Sequence, residues 1–233
     1  MIVLATAASR EYESLARITR ENKREYCKRH GLVLSSFTHT EPISCWERPK
    51  IWRQVLEDAE WLFWTGCDAA ITNLTIDVRD LFDDNADLII AADGNGINND
   101  VFLMRRNSAT LRFMDAVVDC ERRGVRIEQD AMSVVLSGAP DYPQFTHRLP
   151  TLYQEGKQVT PEISRLLQTE LNKTDVRVKI VSQRVLNAYP HQYYGMNGTE
   201  DNAWGYKSFV AHMPGTTLEQ RIEFFSNPDI YVR

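Results

Sequence analysis

The stretch Trp61-Leu-Phe-Trp-Thr-Gly-Cys-Asp-Ala-Ala-Ile71 constrains the fold more than any other part of the chain. Its first four residues form an apolar, aromatic run of strand length. The run breaks at Gly66 and delivers one carboxylate, Asp68, where a buried strand should emerge from a sheet. In open α/β sheets ligands bind outside the carboxyl ends of the strands, so an acid there is a candidate metal or substrate ligand. Taken alone, a turn or helix-capping aspartate is the commoner use of such a residue. The rest of the chain decides between the two.

At 233 residues the chain has the length of one large domain, and 43% hydrophobic residues with five tryptophans supply a sizeable core. The formal charge of −5, with no long run of one sign, argues against nonspecific binding to nucleic acid. Cys27, Cys45, Cys67 and Cys120 are scattered without CxxC spacing, which signals neither a zinc site nor a disulfide framework and fits reduced thiols. The opening Met-Ile-Val-Leu-Ala-Thr is too short for a secretory h-region, and no segment reaches membrane-spanning length. The expectation is a cytoplasmic protein with no membrane partner, of bacterial or viral type. Oligomeric state is not legible.

Strands and helices alternate along the chain. Ile2 to Ala5 reads as a strand ending at Thr6. Arg10 to His30 has helical spacing of Tyr12, Leu15, Ile18 and Tyr26, with Gly31 as its stop. Leu32 to Phe37 is a second strand, Trp46 to Ala59 a helix leading into the Trp61 strand, and Leu88 to Ala92 a strand ending on Asp93. Val101 to Arg105 is a further strand. Ser108 caps a helix through Arg123, and Glu128 to Leu136 is a short helix stopped by Gly138. Val176 to Val181 and Phe209 to His212 are late strands, and Leu218 to Phe225 a last helix. This order predicts an α/β architecture with a mixed, mainly parallel central sheet flanked by helices. The stretch from Tyr189 to Trp204 reads as a connection or a loop over a site, and Tyr193, Tyr194 and Trp204 are candidates for an aromatic sugar-stacking face.

Polar residues stand at several strand ends: Thr6, Asp68, Asp93 and His212. A carboxylate with a late histidine is a workable pair for Mn or Mg, with diphosphate oxygens filling the remaining positions.

The segment Asp93-Gly-Asn-Gly-Ile-Asn-Asn-Asp-Val-Phe-Leu-Met-Arg-Arg106 resembles the D-x-N-G-L-N-x-G-x-F-x-I-R-N block of the yeast α-galactosyl/mannosyltransferase and plant xyloglucan xylosyltransferase family. Asn22-Lys23, Tyr26-Cys27 and His30-Gly31 are similar to that family's N-K-x-x-Y-x-x-x-H-G helix. Trp46 to Gln54 is similar to its W-x-K…R-Q helix, and Glu128-Gln-Asp-Ala-Met132 to its D-Q-S-A-L segment. Phe209-Val-Ala-His212 with Gly215 resembles F-V-x-H-x-x-G. Five short blocks in order span Met1 to Gly215.

The resemblance implies the GT-A fold and a single glycosyltransferase domain over 1–233. Within it, 1–100 is the nucleotide-binding half and 101–233 the acceptor and catalytic half. It implies a retaining transferase that takes a sugar from a nucleoside diphospho-sugar, UDP by analogy, with a divalent cation held by Asp68 and His212. Thr6 is then assigned to the nucleotide, Asp93 and Asn98 to donor-sugar hydroxyls, Asn95 and Gly215 to the donor, and Glu128, Gln129 and Asp130 to the reacting centre. An acidic first helical turn that complements the helix dipole is the plain alternative for the last three.

Two departures stand out. The family's D-x-D reads Gly66-Cys67-Asp68 here, so its first acid is missing, which implies weaker metal binding or none. Asp100 replaces a family glycine, which implies an altered acceptor side of the sugar pocket. The Lys-Pro ending after the histidine block is also absent, leaving Lys207, Arg48 or Lys50 as candidate phosphate contacts, each equally a solvated surface charge. Two other functions remain open: a degenerate domain that binds nucleotide or sugar without turnover, and transfer to a modified nucleobase in DNA instead of a glycan.

Overall fold

A computed structural model describes residues 1–39, 44–93, 95–149, 161–190 and 203–232. Six strands form the central sheet in the order β2-β1-β3-β6-β5-β7. They are β1 (Ile2–Ser9), β2 (Val33–His39), β3 (Trp61–Thr65), β5 (Leu88–Asp93), β6 (Gly96–Arg105) and β7 (Val178–Val181). β1 runs parallel to β2 and β3, and β5 parallel to β7, whereas β6 is antiparallel to both neighbours. A small antiparallel sheet pairs β4 (Ala69–Ile71) with β8 (Val210–His212).

The helices cover both faces, which is why the central strands read as continuous apolar runs. Along β3, Leu62 and Trp64 enter the core under α2 (Glu47–Asp58), α3 (Ser108–Asp119) and α4 (Glu128–Ser137), while Trp61 and Phe63 enter the opposite core with Tyr26 of α1 (Glu13–His30). Trp52 meets Trp64 and Phe102 edge-on at centroid distances of 5.5 and 5.0 Å. Edge-to-face rings of this size anchor α2 against the sheet.

The sequence reading finds the order of these elements and errs at several ends. β1 continues to Ser9, so Thr6 lies inside a strand and not at its tip. β6 begins five residues earlier than Val101, because residues 96–98 pair with β5 and the Asp100 carbonyl accepts from Gly66 N. The helix of residues 108–119 is capped by Asn107, not Ser108: its side chain accepts from Thr110 N and the Thr110 hydroxyl accepts from Asn107 N. Gly31 and Gly138 do stop their helices, at φ +66° and +61°. Short helices α5 (Tyr142–His147), α6 (Pro161–Leu171) and α7 (Gln183–Leu186) escaped the pattern, and α8 (Leu218–Ser226) closes the chain against α1. The division drawn at residue 100 falls inside β6. No helix among the described residues is long and apolar enough to cross a membrane.

Candidate active site

β3 ends at Thr65, and residues 66–68 turn into β4. One face of α1 holds this turn. Thr19 donates to the Cys67 carbonyl at 2.9 Å, and Lys23 donates to the Gly66 carbonyl at 2.7 Å and to the Thr6 hydroxyl at 3.2 Å. Asn22 exchanges hydrogen bonds with both the N–H and the carbonyl of Ile71, each at 2.9 Å. Positions 19, 22 and 23 share one helical face. Thr19 and Lys23 satisfy carbonyls of the turn, and Asn22 anchors Ile71 of β4 just beyond it. Lys23 is fully buried, and burial lowers its pKa to about 8 against the pull of nearby acids.

Asp68 therefore leaves a turn fixed from below, and two other elements meet it. β8 pairs Ala69 with His212, and Met213 N donates to the Asp68 carbonyl at 3.0 Å. This places His212 Nε2 at 3.7 Å from Asp68 Oδ1. β6 supplies Asp100. Between Asn98, which pairs with Ala91, and Phe102, which pairs with Ile90, β6 carries residues 99–101 as a bulge. Bulges re-aim side chains beside active sites, and this one brings Asp100 Oδ2 to 3.1 Å from His212 Nε2. Asp68, Asp100 and His212 each offer a ligand atom, all within 4.8 Å of one another. Burial alone would lower the His212 pKa, but Asp100 and Asp68 outweigh it and raise it to about 9. Burial would likewise raise the Asp100 carboxyl, but His212 and Arg48 hold it well below the usual carboxylate range.

Two arginines flank the cluster. Arg48, from the first turn of α2, lies 3.0 Å from Asp100 Oδ1 and 3.3 Å from Glu128 Oε1. Arg221, from α8, lies 3.4 Å from Asp68 Oδ2 while donating to the Met213 carbonyl. A polar chain continues from the histidine. His212 Nδ1 is hydrogen-bonded to Asn187 Oδ1, and Asn187 Nδ2 reaches the Tyr189 hydroxyl at 3.4 Å. That hydroxyl donates to Asp93 Oδ2 at 2.7 Å and accepts from Asn98 Nδ2 at 3.0 Å, while Asn98 Oδ1 accepts from Asp100 N at 3.1 Å. Asp93, Asn98, Asp100 and His212 thus belong to one buried network.

The structure brings together Asp68, His212, Arg48, Glu128, Asp93 and Asn98 of the residues expected from sequence. Asn95 joins through its backbone, which donates to Asp93 Oδ1. Gln129 Oε1 accepts from Asn99 N at 3.2 Å, beside the bulge. Thr6 lies beneath the turn as an acceptor for Lys23. Gly215 sits in the turn after β8 at φ +71°. Others point elsewhere. Asp130 pairs with Arg126 at 3.1 Å, Lys50 pairs with Glu47 and Glu121 at the surface, and Lys207 is exposed. Trp204 packs edge-on against Phe224 and donates to Thr72, so its ring serves packing; Tyr193 and Tyr194 lie outside the described residues.

Sequence reasoning missed four contributors: Asp100 as a member of the acid cluster, Arg221, Asn187 and Tyr189. Asp100 could not be placed by strand alternation, because the bulge at residues 99–101 breaks the period that would relate it to Asn98. For Arg221 no sequence signal exists, because its approach depends on how α8 docks.

The fold and this site define a glycosyltransferase of the GT-A fold. The profile of the galactosyl transferase GMA12/MNN10 family matches residues 1–88 and 82–223, and the chain belongs to that family. Among solved structures, a glycosyltransferase involved in the glycosylation of the major capsid of PBCV-1 aligns over 97% of this chain and 98% of its own, with a TM-score of 0.61 and 19% identity. The galactosyltransferase LgtC in complex with donor and acceptor sugar analogues aligns over 96% of this chain and 95% of its own, with a TM-score of 0.46 and 12% identity. A search of curated proteins found no match.

Proposed function

We propose that the chain transfers a sugar from a nucleoside diphospho-sugar, UDP-linked, to an acceptor hydroxyl with retention of anomeric configuration. The observation that carries the reading is the joining of two groups of residues in one network. Asp68 and His212 face each other at 3.7 Å, and the same histidine is connected through Asn187 and Tyr189 to Asp93 and Asn98. A site that must hold both a diphosphate and its sugar needs both groups in register.

Asp68 and His212 fit a divalent cation, Mn or Mg, since they offer a hard carboxylate oxygen and an imidazole nitrogen 3.7 Å apart, and the ion when bound would stabilise charge on the departing diphosphate. Arg48 and Arg221 place fixed cations beside the same acids, where the leaving group's charge develops. Asp93 and Asn98 grip donor-sugar hydroxyls. Glu128 and Gln129 border the reacting carbon, where carboxylate and amide oxygens stabilise oxocarbenium character. Thr6 and Asn95 line the donor side with Gly215. Asp130, Lys50 and Lys207 have no contact with this network among the described residues.

The acceptor is read as a glycan. Three acids, Asp68, Asp100 and Glu128, line the cluster, which gives no support to a phosphate-rich DNA acceptor. The test is a panel of UDP-, GDP- and CDP-sugars with Mn or Mg, scored for nucleotide release and for the anomeric configuration of any product by NMR. Release from a UDP-sugar with retained configuration supports the reading. Inverted product refutes retention, and tight donor binding without release under every condition supports a binding module instead.

A further inference from the structure

Gly66 and Asp100 face each other across β3 and β6. Thr65 pairs with Val101, and Gly66 N donates to the Asp100 carbonyl at 2.8 Å, so the two residues occupy the next position of the ladder. A Cβ placed on Gly66 would lie 1.9 Å from Asp100 Oδ2, 2.4 Å from its Cγ and 2.6 Å from its Oδ1. The Asp100 carboxylate fills the volume that any side chain at position 66 would enter. Among the described residues its buried Oδ2 meets only His212, whose Nε2 lies 3.1 Å away. A buried carboxylate is costly unless cations meet it, and the Asp100 ligand atom lies within 4.8 Å of those of both Asp68 and His212.

We propose that Asp100 is a third protein ligand of the cation site, a carboxylate supplied from the neighbouring strand in place of one from residue 66, and that Gly66 is glycine because this carboxylate occupies its side-chain space. The proposal rests on the metal reading of Asp68 and His212 given above. The two strands offer one carboxylate position, reachable from either side of the ladder. An acid on both sides puts two carboxylates into one volume, and an acid on neither leaves His212 facing Asp68 alone. The bulge at residues 99–101 is the backbone device that turns Asp100 toward the cluster.

The test is Mn(II) binding to the purified chain, followed by loss of the free-ion EPR signal, with thermal melts to confirm folding. Asp100→Asn keeps the shape and removes the charge. It should weaken Mn binding by at least about tenfold, as should Asp68→Asn. Gly66→Ala should weaken binding comparably although every acid remains, because its methyl displaces the Asp100 carboxylate. The exchange Gly66→Asp with Asp100→Gly should recover most of the affinity lost in Asp100→Gly alone. If Gly66→Ala does not fold, the near-isosteric Asp100→Asn still decides. Wild-type affinity in Asp100→Asn, together with lost affinity in Asp68→Asn, overturns the third-ligand proposal and leaves the metal reading intact. A wild-type chain that binds neither Mn nor Mg overturns both.

Discussion

The Arg48 guanidinium stands 3.3 Å from the Glu128 carboxylate and, through the same nitrogen, 3.0 Å from Asp100. One cation from the first turn of α2 therefore ties the start of α4 to the bulge of β6. It also neutralises part of a cluster whose three acids otherwise face His212 and Arg221. Replacing Arg48 with Met should destabilise the fold by about 1–3 kcal/mol, less than for a fully buried pair because its side chain is 33% exposed. Arg48→Lys should recover only part of this, since a compact, strongly hydrated ammonium loses more on leaving water than a guanidinium does. Chemical denaturation of the three proteins checks both statements; equal stability of all three would show that the pairing is idle.

Lys23 makes stability depend on pH in a direction that can be worked out. Its folded pKa is lowered to about 8 while the unfolded lysine keeps 10.5. Between those values the unfolded chain binds a proton that the folded chain has released, so stability rises with pH across the window. Below about 8 both forms are protonated and the folded chain carries the full cost of the buried charge. The contribution amounts to about 3 kcal/mol over the window. Lys23→Met removes it. The thiols that also titrate there are common to both proteins, so the stability difference, wild type minus Lys23→Met, should grow from pH 7.5 to pH 10.5. A difference that stays flat or shrinks contradicts the buried-lysine account.

Glu128 and Asp130 stand two apart in sequence, and the helix turns them to different partners. Glu128 is buried against Arg48 at the cluster, whereas Asp130 is buried against Arg126, a residue whose own side chain is 75% exposed. Glu128→Gln should lower kcat for transfer by about 100-fold or more, the scale of a lost group at a reacting centre. Asp130→Asn should leave kcat within about threefold, a change of well under 1 kcal/mol. Initial rates at saturating donor compare the two. Equal losses would mean that α4 presents both acids to the substrate.

The resemblance of short blocks carried the sequence reading a long way, for a physical reason. Asp68, Asp93, Glu128 and His212 all stand at the ends of strongly apolar strands or at the start of a periodic helix, where local pattern fixes position. Asp100 was assigned to the acceptor side because a single sequence shows that an acid replaced a glycine, but not that it lies opposite Gly66. That relationship belongs to the antiparallel register of β3 and β6 and to a bulge, and neither leaves a local mark. Asn187 and Tyr189 were hidden likewise, since they meet His212 and Asp93 only through tertiary packing. The start of β6 escapes the pattern because Asn98, Asn99 and Asp100 interrupt the apolar alternation that announces a strand.

The central claim is that Asp68 and His212 work as one unit in transfer from a nucleoside diphospho-sugar. Its most direct measurement is the rate of UDP release from a UDP-sugar with Mn for wild type, Asp68→Asn, His212→Gln and the double variant. The account predicts that each single change costs at least about 100-fold and that the double variant loses little more, because residues acting as a unit are not additive. Wild-type rates in either single variant, or losses that multiply in the double variant, would contradict it.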